Sequence, residues 1–190
     1  MIAKGSLLSG LVVLACAACL TSLVLFSDSP ALAAEKRLAS VTSCSGKEVK
    51  LRKEEAEMVR LVNRARTDRS LNRVCVRPAV RKAARAHSAD MLRRDYFSHR
   101  TKGTGEDPGD RLDRVGYPWI RYGELIFFSG GGFGDESGVY SAEKVFRVWM
   151  SRSYNREIIL DRRLREIGPA VVDGEYNQDG QMWTVVLATK

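Results

Sequence analysis

Histidine is almost missing from this chain: two of 190 residues, His87 and His99. Cysteine is scarce as well, with four, and two of those, Cys16 and Cys19, fall in an apolar leader. The other two, Cys44 and Cys75, are far apart in sequence, so no Cys/His spacing resembles a zinc finger. No internal repeat or low-complexity tract is present, which excludes solenoids and arrays. Basic-aromatic alternation, a zinc knuckle and a recognition-helix pattern are all lacking too, so no nucleic-acid module is indicated.

The N-terminus is rich in what the rest lacks. Lys4 precedes an apolar stretch from Leu7 to Phe26, and Ala31-Leu32-Ala33 supplies the small-x-small pattern that a signal peptidase cuts. Residues 1–33 read as an export signal cleaved after Ala33 or Ala34. The run is long for a signal, so an uncleaved membrane anchor is the competing reading and the only membrane contact the sequence suggests. Cys16 and Cys19 have no lipidation box in front of them. Export implies a secreted or cell-envelope location and an oxidising compartment. There Cys44 and Cys75 most simply form one disulfide, with two free thiols as the alternative. The formal net charge is +8. A basic exported protein meets anionic lipid headgroups and acidic wall polymers before it meets nucleic acid, although a solvated arginine-rich surface is the plain explanation.

What remains after cleavage is the size of one domain. Residues 34–53 are polar and without periodicity, and read as a linker pinned by Cys44. The folded domain is expected over 54–190. Met58, Leu61, Val62 and Ala65 predict a helix over about 54–66. Pro78 opens a second, with Val80, Ala83, Ala84, His87, Ser88, Met91 and Leu92 in one stripe. RLDRVGY reads as a short helix ending at Gly116, and GELIFF (Gly123 to Phe128) as a short strand or buried segment. The glycine-rich SGGGFGDESG follows as a mobile cavity rim; it lacks the lysine and frame of a phosphate-binding loop. Ser141 caps a further helix with Ala142, Val145, Phe146, Trp149 and Met150 on one face. IGPAVVDG and QMWTVVLAT then alternate as two antiparallel strands turning near Asp179-Gly180. Helices first and strands last make an α+β domain.

In order, AHSADM, YFSH, DRLDRVGY, GE at Gly123-Glu124, VWM, REIIL, IG and MWTVVLA form a series. It resembles the bacterial branch of the CAP superfamily: cysteine-rich secretory, antigen 5 and pathogenesis-related-1 proteins. The resemblance runs from about Glu54 to the C-terminus. It implies an α-β-α sandwich, a small antiparallel sheet between helical layers, with a shallow cavity of histidine and glutamate side chains that in some members binds zinc. On this reading His99 matches the histidine of the family's FSH element and Glu124 the glutamate of its GEN element. Asn155 stands where a second cavity histidine is expected, and Leu125 replaces the asparagine of GEN. His87 matches no cavity position and reads as a core histidine with a satisfied ring nitrogen.

An amide oxygen is a poor partner for zinc, and His99 with Glu124 gives two ligands where three or four are usual. The expected metal set is therefore empty, a divalent ion such as zinc being disfavoured, and Asn155 is expected to hydrogen-bond His99 or Glu124. No catalytic residue is assigned, because Ser98 and His99 are neighbours that point apart and no orienting acid is evident. The aromatics Trp119, Tyr122, Phe127, Phe128 and Phe133 flank Glu124 in sequence and suit an apolar or amphiphilic ligand. The expected function is a non-catalytic binding or scaffold module for such a ligand or for an envelope component. Its rival is a metal-dependent hydrolase of peptide or cell-wall substrates that uses His99 and Glu124. The sequence does not specify an oligomeric state.

One prediction needs only the periodicity. Trp149→Ala should cost about 3–5 kcal/mol in urea denaturation, as a buried aromatic truncation; a cost near zero would mean that the helix after Ser141 turns another face inward.

Overall fold

A computed structural model describes residues 38–130, 140–174 and 180–190. The expected leader, most of the glycine loop with Phe133, and Asp179 lie outside the described residues. The segment read as a linker is not one: it holds a β-hairpin, β1 (Leu38–Thr42) against β2 (Glu48–Arg52), in register from Leu38↔Arg52 to Thr42↔Glu48. The turn closes where the Ser43 N–H donates to Lys47 O at 2.8 Å, with Gly46 at φ +79°. Val49 and Leu51 alternate with charged residues, a two-residue period too short to stand out, yet Leu51 is fully buried in the main core.

The hairpin runs straight into α1 (Lys53–Thr67), where the Glu55 carboxylate accepts the Arg52 backbone N–H at 3.1 Å. A two-residue strand, β3 (Cys75–Val76), leads into α2 (Pro78–Arg93), with proline in its first turn. Cys44 and Cys75 are disulfide-bonded, so the hairpin is tied to the strand just before α2. In α3 (Pro108–Arg114), Asp107 Oδ1 accepts the N–H groups of Gly109 and Asp110 at 2.8 and 3.1 Å. Then come β4 (Arg121–Gly130), α4 (Ala142–Ser151) capped by Ser141, and α5 (Ser153–Leu160). The sequence reading did not resolve α5. Arg152 between the two helices adopts an extended backbone (φ −97°, ψ 125°), so α5 starts afresh with only two turns and too little periodicity to read. Strands β5 (Glu166–Asp173) and β6 (Gly180–Thr189) close the chain.

The main sheet has the order β3–β5–β6–β4. β5–β6 and β6–β4 are antiparallel as expected, while the short β3 runs parallel to β5. Helices cover both faces. Met58, Val62, Val145, Trp149 and Ile159 from α1, α4 and α5 pack on Leu125, Val171, Trp183, Val185 and Leu187. Val80, Ala83, Ala84 and Leu112 from α2 and α3 pack on Ala170, Val186 and Ala188 opposite. This is an α-β-α sandwich of the α+β class.

Two glycines set the layer spacing. A Cβ on Gly168 would sit 2.4 Å from the backbone of Val80 and Arg81, so α2 approaches β5 to a distance no side chain permits. Two turns further along α2, Ser88 Oγ donates to Thr184 Oγ1 on β6 at 2.8 Å. On the other face, a Cβ on Gly123 would lie 2.6 Å from Ile158 Cγ2 of α5.

A fully buried guanidinium joins the far end of α1 to the segment after α5. Arg66 donates Nε to Asn72 O at 2.8 Å, Nη1 to Ile159 O and Asp161 O at 2.8 and 3.0 Å, and Nη2 to Leu164 O at 3.0 Å. Arg66→Met, which keeps the length and loses the donors, should lower the unfolding free energy by about 3 kcal/mol or more, because buried carbonyls lose their partners. Urea denaturation tests it, and a change under ~0.5 kcal/mol would mean those carbonyls find water instead.

Candidate functional site

Strand alternation decides what surrounds Glu124. Gly123 faces α5, so its neighbour Glu124 faces the α2–α3 side, where it is 4% exposed. There His99 Nδ1–H donates to Glu124 Oε1 at 2.9 Å and Arg111 Nη2 donates to Oε2 at 2.8 Å. His99 and Glu124, expected to share one cavity, are therefore bonded to each other, and both carboxylate oxygens are taken. The His99 side chain is 49% exposed, with Nδ1 turned inward to the carboxylate.

Arg111 is the residue that sequence reasoning missed. It is 5% exposed on the seven-residue α3, and it also donates to His99 O at 3.0 Å, Glu106 O at 3.0 Å and Thr101 Oγ1 at 3.2 Å. One guanidinium thus holds the Glu124 carboxylate, the backbone of the FSH segment and the loop before α3. An arginine between Asp110 and Leu112 on so short a helix looks like a solvated charge. It falls within the DRLDRVGY element, where nothing sets it apart from its charged neighbours.

His87 is buried, as the apolar stripe on α2 indicates, and Nε2–H donates to Ser98 O at 2.9 Å. It is nevertheless nearer the site than expected, with Nε2 3.8 Å from Glu124 Oε1. Its Nδ1 is buried without a hydrogen-bond partner among the described residues. The Tyr96 ring meets the imidazole edge-on, centroids 6.1 Å apart. Burial pushes the His87 pKa below its ordinary value, and the neighbouring Arg111 and His99 add to this against the opposing pull of Glu124.

Asn155 lies half-buried on α5, the helix packed on the Gly123 side of β4, and makes no hydrogen bond to His99 or Glu124. The aromatics divide between the two layers. Phe127 packs against Tyr140 in the main core, centroids 5.4 Å apart, while Trp119 and Tyr122 stack edge to face at 4.8 Å beside α3. Trp119 Nε1 donates to Asp113 Oδ1 at 2.9 Å. Among the described residues, His87, His99 and Glu124 do not bring three ligand atoms within 4.8 Å of one another. The one group that does is Cys44, Cys75 and Glu166; its sulfurs are joined to each other, and its carboxylate is held by Arg77.

Comparison with known proteins bears on this arrangement. The model of the cysteine-rich secretory protein family, CAP, matches residues 59–187. A curated relative, the uncharacterized protein YkwD of Bacillus subtilis (strain 168), is 28% identical over 130 residues, which are 68% of this chain and 45% of that protein. The chain thus spans under half the length of that relative. Among solved structures, an extracellular protein containing a SCP domain from Bacillus anthracis str. Ames aligns with a TM-score of 0.58 at 22% identity, covering 72% of this chain and 40% of its own. An outer surface protein of Borrelia burgdorferi aligns with a TM-score of 0.61 at 14% identity, covering 73% of this chain and 94% of its own. At these identities the two structures establish the shared fold.

The buried imidazole gives a pH prediction. With the folded pKa of His87 below its unfolded value, the unfolded chain takes up the proton first as pH falls. The stability contribution is complete above about pH 6.5 and is lost below it, by at most about 1.4 kcal/mol per pH unit. The carboxyls of Asp90, Asp161 and Glu166 are all held below their ordinary values, so their contributions fade only at more acidic pH. Urea denaturation at pH 7.5 and 5.5 should show a loss of stability in wild type and a smaller one in His87→Gln; equal losses would mean that His87 is not held neutral.

Proposed function

The chain belongs to the cysteine-rich secretory protein (CAP) family, and from that premise we propose that it acts outside the cell as a non-catalytic binding module for an amphiphilic, anionic component of the cell envelope. The observation that carries this reading is the engagement of Glu124: one oxygen is bonded to His99 and the other to Arg111. A general base needs a carboxylate or imidazole free to reach a substrate proton, and a carboxylate neutralised by a guanidinium is a weak one. The same two bonds speak against a resident zinc or other divalent ion, since a metal would have to displace Arg111 from the carboxylate and would find no third donor in Asn155. The cavity is read here as a polar brace that fixes the FSH segment.

Export and charge support the rest. The apolar leader reads as an address out of the cytoplasm, and related proteins are described as extracellular or outer-surface. The net charge of +8 favours an anionic partner. Phe97 and Tyr154, 56% and 66% exposed, supply apolar contact for a partner that is also amphiphilic.

One observation favours the rival, a metal-dependent hydrolase. Glu124 orients His99 Nδ1, as an acid orients a catalytic imidazole. The neighbouring Ser98 Oγ accepts the Arg100 N–H at 3.0 Å, a local turn bond rather than one to the His99 ring. Peptide and wall-fragment release should stay at background with wild type, His99→Gln and Glu124→Gln, with or without chelator. Release that disappears in both variants would establish the hydrolase.

The binding reading is tested by sedimentation with vesicles. The mature protein should pellet with phosphatidylglycerol vesicles at low salt, stay in solution with phosphatidylcholine, and be released by added salt as the charges are screened. Equal partition between the two lipids would overturn it.

A further inference from the structure

Arg66 does more than hold the fold together. Asn72 and Leu164, two of its carbonyl partners, belong to two separate loops, residues 68–74 after α1 and 161–165 after α5. Between these loops lies a cleft of about 430 Å³ lined by Ser70, Leu71, Asn72, Arg162, Arg163 and Arg165. Both walls are fixed from inside by the same buried guanidinium. The second wall is further anchored where the Arg165 N–H donates to Ala188 O at 3.1 Å and Cys75 N–H donates to Arg165 O at 3.1 Å.

The charge in this cleft is unbalanced: its lining holds three arginines, Arg162, Arg163 and Arg165, and no acid. Asp161 is taken by Arg163, both oxygens at 2.9 Å. Among the described residues no carboxylate lies within ion-pair distance of Arg162, Arg165 or Arg73, and Arg165 Nη1 donates to Arg162 O, drawing the two residues together. Ser70 and Asn72 add polar groups to the other wall, and Leu71 adds an apolar one. Guanidinium forks at a preorganised concave surface suit the oxygens of phosphate, which accept paired N–H donors.

We propose that this cleft is a binding site for a phosphate ester, with Arg162 and Arg165 as the principal donors. The inference rests on the binding reading above and gives the anionic partner a docking point, remote in sequence from His99 and Glu124. Arg162 and Arg165 are exposed, so their replacement leaves the core intact.

The test uses two probes, soluble glycerol 1-phosphate followed by calorimetry and phosphatidylglycerol vesicles followed by sedimentation. It compares the double variant R162Q/R165Q with R147Q/R152Q, which removes the same charge from exposed positions on and after α4. The cleft variant should bind glycerol 1-phosphate and vesicles about tenfold or more weakly, while the control changes less than about twofold. Loss confined to the vesicle arm, still specific to the cleft variant, would identify the lipid headgroup as the source of the phosphate. Equal weakening by both double variants would overturn the site and leave only diffuse charge. Wild-type vesicle binding untouched by either pair would overturn the cleft while the binding module stands. A wild type that binds neither probe would bring down both.

Discussion

A guanidinium carries five N–H donors and no acceptor, and away from water each donor needs an oxygen. Two arginines here meet that constraint, in different ways. Arg66 meets it entirely with main-chain carbonyls, four of them, on either side of the gap between α1 and the segment after α5. Arg111 meets it with a mixture: two carbonyls, a hydroxyl and the Glu124 carboxylate. Irregular backbone is thereby given fixed positions in both places. The loops that flank the arginine cleft and the segment that presents His99 are ordered by side chains buried beneath them.

Charge inside the molecule is arranged by the same chemistry. Glu55, Glu124 and Glu166 are buried, and each is met by an arginine: Arg81, Arg111 and Arg77 respectively. Burial alone would raise the Glu166 carboxyl, but the hydrogen bonds and charge of Arg77, with the Tyr117 hydroxyl nearby, outweigh it and hold the group below its ordinary value. Glu55 also accepts the backbone N–H of Val171 at 3.3 Å, so an α1 side chain reaches into the sheet. Among the described residues Arg66 is the buried cation that meets no acid; each of these three buried acids is matched by an arginine, so most of the positive surplus is left at the surface.

Helices with a long apolar stripe were legible in the sequence, because Val80, Ala83, Ala84 and Met91 recur at helical spacing for about three turns. The closing strands were legible from β-branched runs. The hairpin was not, since its inward positions, Val49 and Leu51, are two residues among lysines and glutamate, and α5 was not, since two turns carry little period. At the site, the family resemblance put His99 and Glu124 in one cavity, and the structure brings them together. Arg111 lies in the DRLDRVGY element but is not marked out there: its role comes from where α3 lies in space, and charge on a short helix normally belongs to solvent. The placement of Asn155 also depended on the fold. β4 turns Gly123 towards α5 and Glu124 away from it, and a linear motif does not encode that parity across two separated segments.

Gly168 gives the cavity a remote point of leverage. The bare α-carbon lets the start of α2 rest on β5, while Ser88 clasps β6 and His87 sits beside it, two turns further along the same rod. A methyl group at 168 would wedge that rod at one end and swing the other, carrying the buried imidazole away from Ser98 and loosening the FSH segment without touching it. The geometry around Glu124 is thus gauged by the thickness of a single hydrogen on the far strand.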